Sequence, residues 1–230
     1  KAMLTIAIDG PAGAGKSTVS KALARRLGLS LVDTGAIYRS VALLATRKEV
    51  PLDDETTLGS MARSLDIRFA FDGASNCVYL QDEDVSSAIR TPDNSQAASK
   101  ISALPAVRAG LMELQRRLAV QPPGAVLEGR DIGTVVLPHA TVKFFLTASL
   151  ETRVRRRMQQ LEALGEPVPD FDELLVSEGE RDRRDSQRET APLCQAPDAI
   201  LVDSGDLSIE AVLEAMIKPI RERAPSGMVA

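Results

Sequence analysis

Short, mostly apolar runs at Leu4–Ile8, Leu29–Val32, Ala125–Leu127, Val142–Leu146 and Ala199–Val202 alternate with longer stretches of helical character. The helical stretches are Ser17–Leu27, Ala36–Thr46, Ala106–Ala119, Leu150–Leu164 and Ser208–Arg221. Runs that lack a polar face predict parallel strands covered on both sides. Strands and helices in alternation predict an α/β fold built on a doubly wound, five-stranded parallel sheet. Ligands of such sheets gather outside the carboxyl ends of the strands. Asp9-Gly10, Asp33-Thr34, Glu128-Gly129-Arg130-Asp131 and Asp203-Ser204 all fall at those ends.

One region follows a different period. Asp66-Ile67-Arg68-Phe69-Ala70-Phe71 alternates polar and apolar residues, Asp72-Gly73-Ala74-Ser75-Asn76 supplies turn chemistry, and Cys77-Val78-Tyr79-Leu80 resumes strand character. This predicts an antiparallel hairpin with one solvated face. It lies in an insertion of about residues 51–105, within the second crossover, which reads as a small α+β subdomain beside the sheet. The expected organisation is one domain over 3–230, with its core in 3–50, 106–150 and 190–230.

Composition narrows the class. The chain has 230 residues, 44% of them hydrophobic, enough for one α/β core with an insertion. Tryptophan is absent and aromatics are 3%, so the core must rest on Leu, Val, Ile and Ala. A net charge of −4 argues against a nucleic-acid binder, which usually carries a basic excess. Cys77 and Cys194 stand far apart without a C-x-x-C pattern, which gives neither a zinc cluster nor a disulfide framework and reads as two reduced thiols. No apolar stretch reaches the roughly 18 residues of a membrane span, and the start lacks a signal-peptide core. Lys1-Ala2 ahead of Met3 reads as an added remnant, with the natural start at Met3. The expectation is a soluble, cytoplasmic protein without a membrane partner.

The chemistry begins at Gly10-Pro11-Ala12-Gly13-Ala14-Gly15-Lys16-Ser17, a full G-x-x-x-x-G-K-S pattern between a strand and a helix opening near Thr18. Successive backbone amides of such a turn cradle phosphate oxygens, and the following helix presents its positive end to the same anion. Gly13 and Gly15 allow backbone angles that a Cβ would block. The motif assigns Lys16 to the β- and γ-phosphates and the Ser17 hydroxyl to Mg²⁺. The competing reading, an ordinary Gly-rich βα turn, leaves the complete pattern unexplained.

Phosphoryl transfer needs positioning and cations around the migrating group. Arginines come in two bursts: Arg153, Arg155, Arg156 and Arg157, then Arg181, Arg183, Arg184 and Arg188. Arg153 and Arg157 share a helical face, as do Arg181, Arg184, Asp185 and Arg188. Solvated charge runs are the ordinary meaning of such patterns, and Arg155, Arg156 and Arg183 are assigned to solvent. A basic nucleic-acid patch lacks aromatic stacking partners. Arg39 and the Arg130-Asp131 pair stand at strand ends where an acceptor phosphate would face the Gly-rich loop, and the arginine fork suits phosphate. An Arg–Asp pair that merely ties strand ends together is the structural alternative. His139, the only histidine, sits beside Pro138 in a loop and reads as solvent-exposed. The guanine signature N-K-x-D occurs nowhere, which disfavours a GTPase switch.

Four blocks together resemble the bacterial cytidylate kinase family: I-D-G-P-A-G-A-G-K-S at 8–17, D-T-G-A-I-Y-R at 33–39, E-G-R-D-I-G-T-V-V at 128–136 and R-D-R-R-D at 181–185. The likeness runs from about Thr5 to the last helix. It implies a P-loop nucleoside monophosphate kinase that transfers phosphate from ATP, with Mg²⁺, to CMP or dCMP. It also implies an NMP-binding insertion and a short helical lid over about 153–188. By this resemblance Gly10, Pro11, Ala12, Gly13, Ala14, Gly15, Lys16, Ser17 and Thr18 hold ATP. Arg39, Arg130 and Arg188 hold the acceptor phosphate, with Thr34 nearby. Ser99, Arg108 and Asp131 contact cytosine, and Arg181 and Asp185 the ribose. Arg153 and Arg157 close over the ATP phosphates, so that Lys16, Arg130, Arg153, Arg157 and Arg188 form the catalytic set. Gly179 departs from the family pattern within an expected helix, where it costs about 1 kcal/mol relative to Ala. A monomer suffices. The alternatives are a P-loop kinase for UMP or another small acceptor, and a non-catalytic nucleotide-dependent switch.

Overall fold

The structure, a computed structural model, describes residues 3–227. Lys1-Ala2, read as a remnant, lie outside the described residues, as do 228–230. Five parallel strands, β1 (Leu4–Asp9), β2 (Ser30–Asp33), β6 (Gly124–Gly129), β7 (Val142–Thr147) and β8 (Ile200–Asp203), form one sheet in the order β2-β6-β1-β7-β8. Between β2 and β6 the chain makes a second, antiparallel sheet of β3 (Ile67–Asp72), β4 (Ser75–Leu80) and β5 (Glu83–Asp84). The expected hairpin is therefore present, extended by a third, two-residue strand.

The parallel strands read as continuous apolar runs because both faces are covered. Leu4, Ile6 and Ile8 of β1, with Val126 of β6 and Phe144 of β7, enter one apolar cluster. Ala7 and Leu127 point the opposite way and enter the other. The first cluster is closed by α1 (Lys16–Leu27) and α8 (Ile209–Arg223). The second is closed by α2 (Thr34–Arg47), α3 (Glu55–Arg63), α4 (Pro92–Ile101) and α5 (Pro105–Ala119), and continues without a break into Leu80, Val85 and Ile89. Helices α6 (Leu150–Ala163) and α7 (Phe171–Gln187) pack against each other beyond β7. Gly179 lies inside α7 without breaking it.

Two helices of the second cluster approach unusually closely. A Cβ at Gly59 would sit 3.0 Å from Ala106 Cβ, and one at Gly110 would sit 2.9 Å from Gly59 O. This contact seats α5, which carries Arg108, against α3. The chain after β6 turns sharply through a single π-helical turn, Ile132–Val136, that the β-branched sequence there does not predict.

The parallel register brings the strand ends level. Asp9 pairs with Gly129, and Asp33 with Glu128. The Gly-rich loop leaves β1 at the centre of the sheet. From there β2 and β6 lie to one side and β7 and β8 to the other, so the loop opens at the point where the strand order reverses. No helix among the described residues is long and apolar enough to cross a membrane.

Candidate active site

The Gly-rich loop takes the shape its motif demands. Gly13 and Gly15 have φ of 76° and 91°, a region costly for any residue with a Cβ. Gly10 is required for space: its Cβ would fall 2.0 Å from Leu146 O on the neighbouring strand. Lys16 opens α1 and folds back over the loop, donating to Gly10 O at 2.6 Å and Pro11 O at 2.9 Å. Burial, with the Arg130 guanidinium close by, pushes its ammonium well below the usual lysine range.

Ser17 Oγ donates to Glu128 Oε1 at 3.0 Å. Glu128, one residue before the end of β6, is 5% exposed, and is driven upward by burial and by the charge of Asp33. Its buried Oε2 has no well-formed partner, although the Ser20 hydroxyl lies near enough to act on it. An orphaned carboxylate oxygen beside a loop hydroxyl suits a hard cation, and Mg²⁺ uses few protein ligands beside phosphate and water. Glu128 is absent from the sequence-based set. The signal was its place, the last charged residue of a strand ending beside the loop.

Across from the loop, the Arg39 guanidinium is half-buried and pushed downward by burial, with Asp33, Arg90, Arg181 and Glu128 in electrostatic reach. Its Nη1 lies 3.0 Å from where a Gly35 Cβ would be, so a side chain there would crowd the guanidinium. Thr34 Oγ1 is buried and donates to Glu128 O at 2.7 Å. Arg130 donates to Asp185 of α7, and burial pushes its guanidinium downward. Arg181 and Arg188 both act on Arg130, and Arg130 and Arg181 both act on Lys16. Lys16, Glu128, Arg39, Arg130, Arg181 and Arg188 thus share one field. Arg181 is exposed, while Arg188 is half-buried and donates to Ala191 O at 2.7 Å.

Arg108 and Asp131 form a buried ion pair, with Arg108 also donating to Ser102 O at 3.1 Å and lying 5.5 Å from the Tyr38 ring centre. Ser99, on α4, is exposed; its carbonyl accepts from Ser102 Oγ at 2.8 Å.

On α6, Arg153 is 6% exposed and fully engaged. It donates to Ala148 O, to Ala12 O of the loop, and through both terminal nitrogens to Asp182 of α7 at 3.0 and 2.6 Å. Its Cβ would lie 3.0 Å from one at Gly13. Arg157 is exposed, and donates to Gln160 Oε1 at 2.9 Å. Arg155 is exposed over Phe171, and Arg183 is exposed, as expected. Arg156 corrects the reading that gave it to solvent. It donates to Gly13 O at 3.2 Å, Ser204 Oγ at 3.0 Å and Ser204 O at 2.7 Å, joining α6, the loop and the end of β8. Ser204 in turn donates to Ala14 O at 2.8 Å. His139 is exposed.

A sequence model described as Cytidylate kinase matches residues 6–222, nearly the whole chain. The chain belongs to the cytidylate kinase family. A cytidylate kinase of Pseudomonas aeruginosa (strain LESB58) is 51% identical over 215 residues, covering 93% of each chain. One from Geobacter sulfurreducens is 50% identical over 220 residues, covering 96% of this chain and 94% of the relative. Among solved structures, a protein of Eubacterium ventriosum superposes with a TM-score of 0.56 at 13% identity, covering 96% of this chain and all of the other. TT1252 from Thermus thermophilus gives 0.51 at 20%, covering 98% and 100%. At those identities the structural likeness concerns the fold alone. In this cytidylate kinase family member, Lys16 of the loop and the arginines around Arg130 meet in one field at the strand ends.

Proposed function

We propose that this chain transfers the γ-phosphoryl group of ATP to the phosphate of CMP or dCMP, giving ADP and CDP or dCDP. The observation that carries the reading is the placement of the Lys16 ammonium and the Arg130 guanidinium at adjacent strand ends, within one electrostatic field. Two anions must approach each other for the reaction, and their repulsion is the main obstacle. The loop amides and Lys16 hold the donor, while Arg39, Arg130 and Arg188 hold the acceptor phosphate. An acceptor phosphate is already a nucleophile at neutral pH, so no general base is needed. Preorganised cations stabilise the charge that spreads over the migrating group.

Ser17 Oγ and Glu128, which are hydrogen-bonded to each other, would hold Mg²⁺, and the bound ion would supply charge neutralisation of the phosphates. Glu128→Gln should raise the Mg²⁺ concentration for half-maximal rate about 10- to 100-fold. A titration of rate against Mg²⁺ at fixed ATP measures this, and an unchanged midpoint removes Glu128 from the metal shell.

The Arg108–Asp131 pair offers a donor beside an acceptor. Cytosine presents the complementary edge, a ring acceptor beside an amino donor, whereas uracil presents a carbonyl to the carboxylate. Arg181 and Asp185 serve the ribose. The segment of about 51–105 acts as the NMP-binding part and that of about 153–188 as the lid, which excludes water so that ATP hydrolysis does not compete. The enzyme works as a cytoplasmic monomer, without nucleic acid. A coupled assay with ATP and each of CMP, dCMP, UMP, AMP and GMP tests the reading: CMP and dCMP support turnover with the highest kcat/KM. Equal or better use of UMP would overturn the base assignment.

A further inference from the structure

We infer that Asp9, outside the set of residues that touch nucleotide, is a positioning residue that sets the acceptor-gripping arginine at a fixed distance from the phosphate loop. Asp9 ends β1, immediately before Gly10, and is 4% exposed. Its backbone pairs in register with Gly129. Its carboxylate accepts the Ile132 amide at Oδ1 (2.8 Å) and the Gly133 amide at Oδ2 (2.7 Å). Arg130 and Asp131 are the only two residues between Gly129 and Ile132, so this one residue pins the chain on both sides of them.

The rest of the turn reinforces the brace. The Asp131 carbonyl accepts the amides of Val135 (2.9 Å) and Val136 (3.1 Å), and Leu137 donates to Ile132 O at 2.7 Å. The first two amides of the π turn have no intrahelical acceptor, and Asp9 supplies one to each. Gly133 fits because a Cβ would lie 3.1 Å from Lys143 Cδ and 3.4 Å from Asp9 Oδ2. On its other side Asp9 is covalently joined to Gly10, whose carbonyl takes the Lys16 ammonium. One short segment therefore ties the donor side to the acceptor side. Burial pushes the Asp9 carboxyl up to about 6, against the pull of the two amides and Lys16. An apolar side chain in its place would leave both buried amides without an acceptor. Here each oxygen meets an amide of the segment that aims Arg130.

The test is Asp9→Asn in the full chain, since Asn cannot accept both amides. Three measurements are made: ATP affinity by titration calorimetry without acceptor, kcat/KM for CMP, and the thermal midpoint. The expected result is a loss of at least tenfold in kcat/KM for CMP, with ATP affinity changed less than threefold. Equal loss in both, or kcat/KM for CMP within twofold of wild type, overturns the inference. Asp9→Glu keeps the charge but displaces the oxygens, and should show the same acceptor-selective loss. If both variants fail to fold, Asp9 belongs to the fold and the inference is wrong. The inference rests on the CMP kinase reading. A wild-type chain inactive toward CMP defeats that reading, whereas an active wild type with an unselective Asp9→Asn defeats only this one.

Discussion

Lys16→Met loses turnover by roughly a thousandfold while the protein stays folded. The Lys16 ammonium bridges the carbonyls of Gly10 and Pro11 across the loop and lies in the field of Arg130 and Glu128. Burial takes its charge out of water at a cost and pushes the ammonium down, and its hydrogen bonds run to the loop carbonyls rather than to the helices. Methionine keeps the aliphatic stem and removes only the ammonium, so the thermal midpoint should move by a few degrees at most. Chemistry should suffer far more than ATP affinity, because the loop amides still hold the donor, whereas the charge developing on the migrating group loses its counterpart. Single-turnover rates with ATP and CMP measure the effect. More than a tenth of wild-type turnover in Lys16→Met excludes Lys16 from the chemical step.

Arg130→Ala loses roughly a thousandfold in kcat/KM for CMP, which is about 4 kcal/mol of transition-state stabilisation. Arg130 is set by the strand end of β6 on one side and by the π turn on the other, and its guanidinium pairs with Asp185 of α7. The pair leaves both side chains about one-fifth exposed, at 20% and 19%. Asp185 keeps solvent access and the nearby Arg188, so stability should fall by only roughly 1 kcal/mol. Arg130→Lys restores charge without the planar fork and should recover only part of the rate. Steady-state kinetics with CMP as the varied substrate, alongside thermal unfolding, separates the two effects. A kcat/KM for CMP near wild type in Arg130→Ala shows that the acceptor phosphate is held elsewhere. The structure also meets the alternative reading of this arginine as one half of an ion pair: the pair exists, and its partner lies on α7 rather than at another strand end.

The parallel sheet was legible because its strands are buried on both faces, so that Leu4, Ile6 and Ile8 on one side and Ala7 on the other compress into one apolar run. The hairpin was legible from its two-residue period and from Gly73. Helix α4 was missed although Thr91-Pro92 carries a usable start signal: the Thr91 hydroxyl caps Asn94 N, and proline occupies the first turn. Helix α3 is short, and Gly59 at its middle weakened its pattern. The π turn has no local signature, since the carboxylate that holds it lies 123 residues away at Asp9. Arg156 follows the same logic. Helical spacing placed Arg153 and Arg157 together, but burial falls on Arg153, and the contacts of Arg156 depend on Ser204, distant in sequence and adjacent only after folding. Glu128 was hidden by its own strand, whose next-to-last residue comes beside the loop only once β1 and β6 are in register.

The backbone-to-backbone seating of α3 on α5 has an outcome for how this sequence can drift. With 2.9 Å between a notional Gly110 Cβ and the Gly59 carbonyl, even alanine must prise the two helices apart, and the displaced partner is the one from which Arg108 reaches Asp131. Variation at these two spots is thereby opposed by steric crowding, and the buried Arg108–Asp131 pair inherits its rigidity from two residues that have no side chain at all.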